Sequence, residues 1–151
     1  MYQFILFIHS WLRWFLLLLA IIVIIRAFYG WIGNKDFTIS DNKSTIYLVA
    51  LFHIQLLIGL ILYFFLSPIT TGALHDFGMA MKYPALRYWA VEHIFIMLLS
   101  IIIAQIGRIQ IKKAHADRAK FRSSAIYFTL ALVLIISRIP WTEAERMIRG
   151  F

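Results

Sequence analysis

Four apolar stretches, each about as long as a bilayer is thick, leave this chain few ways to fold. They run over about 4–25, 46–66, 86–109 and 124–140, with short polar connections between them. Roughly 20 helical residues at 1.5 Å rise cross a hydrocarbon core of about 30 Å. Hydrophobic residues make up 62% of the chain and charged residues only 15%, which is outside the range of an ordinary soluble domain. The expected fold is therefore all-α: a single-domain, integral membrane, up-down-up-down four-helix bundle spanning 1–151. Short connections make sequence neighbours antiparallel and place the first and third helices on a diagonal.

Local signals suggest the boundaries. Ser44 is the expected N-cap of the second helix. Ser67-Pro68 ends that helix, and Pro84 suits the first turn of the third. Part of 69–83 is expected to form a short interfacial helix. Asp117 is the expected cap of the fourth helix. Thr142 and Glu145 have capping-box spacing, which predicts a surface helix over about 143–150. Tyr47 and Tyr63 are expected as interfacial anchors, and Arg26 is expected to snorkel. The first stretch lacks a basic leader and a small-residue cleavage site, so it reads as a span and not a cleaved signal peptide.

Charge sets the expected orientation. The first and third connections and their flanks carry nine of the 15 Lys and Arg residues: Arg26, Lys35, Lys43, Arg108, Lys112, Lys113, Arg118, Lys120 and Arg122. The positive-inside rule puts them in the cytoplasm and both termini outside, in a bacterial inner membrane. The net charge of +8 is thus a topology signal and not a nucleic-acid footprint. With no cysteine, disulfides, thiolate metal sites and covalent haem attachment are excluded. No nucleophile–base pair or phosphate loop is legible.

Candidate chemistry lies in the ionisable groups inside the spans. Each such group costs roughly 2.5–3.5 kcal/mol to insert, so it needs a partner or a role. Counted from the span centres, His9 lies about 10 Å and His93 about 7 Å on the outer side of the midplane. His53 lies roughly 4–5 Å on the inner side. His9 and His93 therefore share a depth on diagonal helices, the arrangement by which bundles hold a cofactor. Imidazole is a suitable axial ligand for haem iron. The expected cofactor is one haem b, with His9 and His93 as axial ligands and His53 as the alternate. Arg13 and Arg138 would pair with propionates and Glu92 would complete the charge network. Gly59 and Ser100 leave room for a flat ring. A copper or zinc site from His9, His93 and Glu92 is a further reading. His75 and His115 read as solvated loop residues.

The segments His9-Ser10-Trp11-Leu12-Arg13-Trp14, His53-Ile54-Gln55-Leu56-Leu57-Ile58-Gly59-Leu60-Ile61-Leu62-Tyr63 and Val91-Glu92-His93 resemble small four-span bacterial membrane proteins described as cytochrome-b-like. The resemblance implies haem b and makes His9, His53 and His93 functional. The fourth span has no histidine, unlike two-haem membrane cytochromes. The expected function is electron transfer to or from a quinone or a partner respiratory protein. Two other readings stand beside it. One is a non-catalytic accessory subunit of a larger membrane complex, its charges serving as structural glue. The other is proton or ion translocation along His53, Glu92 and Arg13.

Overall fold

The structure is a computed structural model that describes residues 1–141; the expected surface helix and its Thr142/Glu145 cap lie outside the described residues. Four helical segments are long and apolar enough to cross a membrane: Tyr2–Ile32, Ile39–Leu66, Pro84–Lys113 and Asp117–Ser137. We label the helices α1 (Tyr2–Ile32), α2 (Ile39–Ile61), α3 (Pro68–His75), α4 (Phe77–Lys82), α5 (Pro84–Arg87), α6 (His93–Lys113) and α7 (Asp117–Ser137). A π-helical turn, Leu62–Leu66, extends α2, and a second, Tyr88–Glu92, joins α5 to α6.

Around the bundle α1 packs on α2, α2 on α6, α6 on α7 and α7 on α1. That leaves α1 and α6 on one diagonal. The interior is lined by Leu16, Ala20, Val23, Leu48, Phe52, Ala104, Phe128, Ala131 and Ile135. Small residues sit where helices cross, as expected where lipid tails give no hydrophobic drive and packing must supply the attraction. A Cβ added to Gly107 would overlap the Cβ of Tyr127 on α7, and one added to Gly30 would overlap the ring of Phe121. The outer surface is as apolar as the inside, with Phe15, Ile25 and Leu57 each at least 60% exposed.

At one end, which we call the closed end, α1 passes to α2. Asn34 takes φ 46°, a left-handed conformation that asparagine tolerates. The Lys35 amide then donates to the Gly30 carbonyl at 3.0 Å and closes α1. The second helix starts at Ile39, not 46. Thr38 caps it through the Asp41 amide, and the Asp41 carboxylate accepts from the Thr38 amide at 2.9 Å. Ser44 is therefore inside the helix, its hydroxyl donating to the Asp41 carbonyl at 2.8 Å. Arg26 makes a two-pronged ion pair with Asp41, at 2.7 and 3.1 Å, over the Phe121 ring. Asp117 is the first residue of α7 and binds Lys120 at 2.8 Å, while Ala116 holds the cap position. The fourth span stops at Ser137, because Arg138 leaves helical geometry and Pro140 follows.

At the opposite, open end, α3 and α4 form two short helices where one was expected, and they cover part of the bundle. Ser67 and Asp76 are their N-caps. Ala73, Ala80 and Ala90 pack with Leu86 and Val91 beneath them. The Tyr63 hydroxyl donates to the Ala90 carbonyl at 2.6 Å and ties the two π-helical turns together.

Candidate functional site

The bundle holds a cavity of about 150 Å³ between α1, α2, α6 and α7. Leu16, Phe52, Ile101 and Ile135 form its floor, and Tyr2, Tyr63, Ser67, Thr70 and Pro140 its mouth. From Tyr2 to Leu16 it follows α1 for about 21 Å, so it is a deep slot and not a round void. The walls are mostly apolar. His9, Arg13, Gln55 and His93 bring polar chemistry to them, and Gly59 and Ser100 supply small surfaces.

The two imidazoles from the diagonal helices line the same cavity. Their surroundings differ. The His93 Nδ1–H donates to the Arg138 carbonyl at 3.1 Å. That carbonyl, freed where α7 ends, also accepts from the Tyr88 hydroxyl at 2.7 Å. The bond fixes the ring's orientation and leaves Nε2 with its lone pair. The Trp89 and Tyr88 rings flank His93, with centroids 5.5 and 6.0 Å away.

His9 is held from α2. The Gln55 amide nitrogen donates to the His9 backbone carbonyl at 2.9 Å and lies 3.3 Å from the ring Nε2. A nitrogen that donates to a carbonyl is the amide NH₂, so His9 Nε2 is the acceptor and the ring proton sits on Nδ1. His9 Nδ1 and Gln55 Oε1 are both sealed from solvent without a hydrogen-bond partner. The His9 ring lies close against α2. A Cβ at Gly59 would stand 3.2 Å from its Cε1, tighter than ordinary contact.

The other expected site residues are placed as follows. Arg13 lines the cavity, its guanidinium carbon 5.4 Å from the centre of the Trp14 ring. Glu92 and Arg138 stand outside the lining. The Glu92 carboxylate bridges Arg87 at 3.0 Å and Arg138 at 3.4 Å. His53 is not brought to the pair. It lies about 100° around α2 from Phe52, so it is exposed on the outer surface, and its Nδ1–H donates to the Val49 carbonyl at 2.8 Å. Among the described residues, no group of three or more His, Cys, Asp or Glu is gathered to hold a metal ion. The copper or zinc reading of His9, His93 and Glu92 therefore fails, since Glu92 is turned to two arginines. His75, the last residue of α3, and His115 are exposed.

Sequence reasoning missed Gln55 as a site residue. Its signal was a carboxamide in an apolar span, one helical turn before a glycine, which lets a ring from the next helix come close. The chain matches no protein-family model, no curated protein and no solved structure.

Proposed function

We propose that this chain is a multi-pass protein of the bacterial inner membrane that holds one b-type haem in the cavity between α1 and α6 and serves electron transfer. One observation carries the reading: imidazoles on diagonal helices converge on a single deep slot, and His93 is anchored through Nδ1 with Nε2 left for a metal. His9 lines the same slot, its ring held on α2 by Gln55. The donor set fits haem iron. The volume is a stricter test, since about 150 Å³ is the size that holds one aromatic ring. A haem macrocycle is several times that size, so the cavity as it stands does not fit one and the walls must part to admit it. Arg13 in the wall offers a cation to a propionate, and Arg138 with Glu92 lies beyond the wall. Bound haem supplies one-electron chemistry, and a quinone or a partner respiratory protein is the proposed redox partner. The excess of Lys and Arg at the closed end supports a cytoplasmic placement of that end, with both termini outside. The likeness to cytochrome-b-like four-span proteins points the same way.

The test is a dithionite-reduced minus oxidised visible spectrum of the detergent-purified chain, expressed with haem supplied. A haem b spectrum at near one equivalent supports the proposal, and a flat spectrum at good protein concentration overturns it. A folded His93→Ala variant with full haem content overturns the assignment of His93.

A second reading, the accessory subunit, is favoured by His53. This exposed imidazole lies within a residue of the middle of the 28-residue span Ile39–Leu66. Its Nε2 lone pair faces hydrocarbon there, and a neighbouring helix with a donor would satisfy it. That reading expects a stoichiometric membrane partner in mild detergent, lost in His53→Leu, and no visible absorption from the chain alone.

A further inference from the structure

The side chains around the slot and its volume point to different occupants. Two imidazoles suit a metal, but about 150 Å³ is room for one aromatic ring and not for a macrocycle. We infer that the slot, with its walls as they stand, binds a single-ring molecule bearing a hydroxyl, a phenol or the head of a lipid hydroquinone, and that this hydroxyl donates to His93 Nε2. The inference does not rest on the haem reading and concerns the haem-free chain.

Shape comes first. An apolar cavity of this size takes a benzene-like ring. Leu16, Phe52, Ile101 and Ile135 close the slot below, and the Trp89 ring lines it beside His93, with centroids 5.5 Å apart. Trp89 and Phe52 give the guest aromatic surfaces to pack on. The mouth at Ser67 and Thr70 lies at the open end, so a tail on the ring has an exit.

Hydrogen bonding then selects the guest. The His93 ring proton goes to the Arg138 carbonyl, so Nε2 offers a lone pair. His93 lines the slot and is only part-buried, and its Nε2 is not among the sealed polar atoms. No partner for Nε2 stands among the described residues. Neighbouring polar groups have spent their protons inside the protein. Ser100 donates to the Met97 carbonyl and Thr70 to the Tyr63 carbonyl, each at 2.8 Å, and Tyr63 donates to Ala90. The Gln55 amide is spent on His9. Arg13 carries its guanidinium over the Trp14 ring, which is not part of the lining.

These groups therefore offer a guest acceptors, and a guest gains by donating. A plain hydrocarbon ring fits the shape but leaves Nε2 without a partner. A quinone brings carbonyl acceptors against acceptors. Its reduced form carries hydroxyls and matches, so the slot favours the hydroquinone over the quinone.

The experiment uses the full-length chain, purified in detergent without added haem. The probes are para-fluorophenol and para-fluorotoluene, which share a shape and differ in the hydroxyl. Binding is read by fluorine NMR and corrected for partition into micelles measured without protein. The expected result is one site, with the phenol bound about three- to tenfold tighter than the toluene, the worth of one hydrogen bond. His93→Leu should erase that preference. Equal binding of the two probes by the parent chain overturns the inference, as does binding of neither. A folded His93→Leu that keeps the preference overturns the role of His93. Para-hexylphenol as competitor separates the sources: displacement at equal free concentration points to a lipid head, and failure to displace points to a free phenol. The same titration on chain expressed with haem keeps the readings apart. Phenol binding with a flat visible spectrum leaves this inference standing and overturns the haem. The comparison of the two probes on the parent chain decides even where the variant fails to fold.

Discussion

Gly107→Ala should loosen the bundle at its most extensive helix pair. Gly107 is buried on α6, where the added Cβ would overlap the Cβ of Tyr127 on α7, and Tyr127 Cγ lies 3.1 Å away. Ordinary contact needs 3.4–4 Å. Tyr127 Cβ is fixed to its backbone, so no rotamer change relieves the overlap. The helices must part by on the order of 1 Å, which loosens neighbouring contacts such as those of Ala104 and Ala131. The expected loss is about 2–3 kcal/mol, a little offset by the better helix propensity of alanine. For a chain of this size that lowers the melting temperature by about 4–12 °C. Gly72→Ala is the internal control. Gly72 lies within α3, and nothing stands within 4 Å of its added Cβ. That variant should be neutral or gain up to about 1 kcal/mol from propensity. Both are read by thermal unfolding in one detergent, with size-exclusion recovery after heating. If Gly107→Ala melts within a degree or so of Gly72→Ala, the close approach of α6 and α7 is not there.

Asp41→Ala removes both Arg26 bonds and the carboxylate half of the cap, and should cost about 2–3 kcal/mol in the same assay. An unchanged melting temperature would show that Arg26 is satisfied elsewhere. Tyr63→Phe deletes the 2.6 Å bond to Ala90 and should cost about 1–2 kcal/mol, with faster hydrogen exchange concentrated over the two π-helical turns. Exchange that speeds up equally at the closed end would refute a local role. His53→Leu should leave the isolated chain within about 0.5 kcal/mol of the parent, because the imidazole bonds only within its own helix in the contacts described above. A larger drop would place His53 inside the bundle.

The count and order of spans were legible because bilayer thickness fixes the length of an apolar run. Residue counting from span centres also set His9 and His93 at one level, and both line one slot. The facing of each helix was not legible. In hydrocarbon a leucine is equally at ease on either side, so Leu16 at 2% exposure and Leu18 at 58% carry the same sequence signal. His53 was misjudged for that reason: its depth could be counted, its azimuth could not. The start of α2 was misplaced by a strong local cue, Ser44, because the Thr38–Asp41 box lay in a stretch read as polar connection. Arg26 and Asp41 supply the polar partners that let the helix begin there. The Tyr63 bond was not legible because its acceptor, the Ala90 carbonyl, belongs to a π-helical turn made by tertiary packing and not by composition.

Those two turns have a consequence for the mouth of the slot. Each accommodates one residue more than an α-helix would over the same rise, and so advances the angular phase of the chain by about 100° at that level. Below Leu62 and beyond Glu92, the helices keep the phase that suits four-fold packing. On the far side of each turn, Ser67, Thr70 and Arg87 run on a different phase. A one-residue deletion within 62–66 or 88–92 would restore a continuous α-helix and leave the bundle below in register. A deletion within 62–66 would also swing Ser67 and Thr70 through roughly a quarter turn, and one within 88–92 would do the same to Arg87. The rim and the barrel of this bundle are thus indexed separately, and the aim of one can be reset without recutting the other.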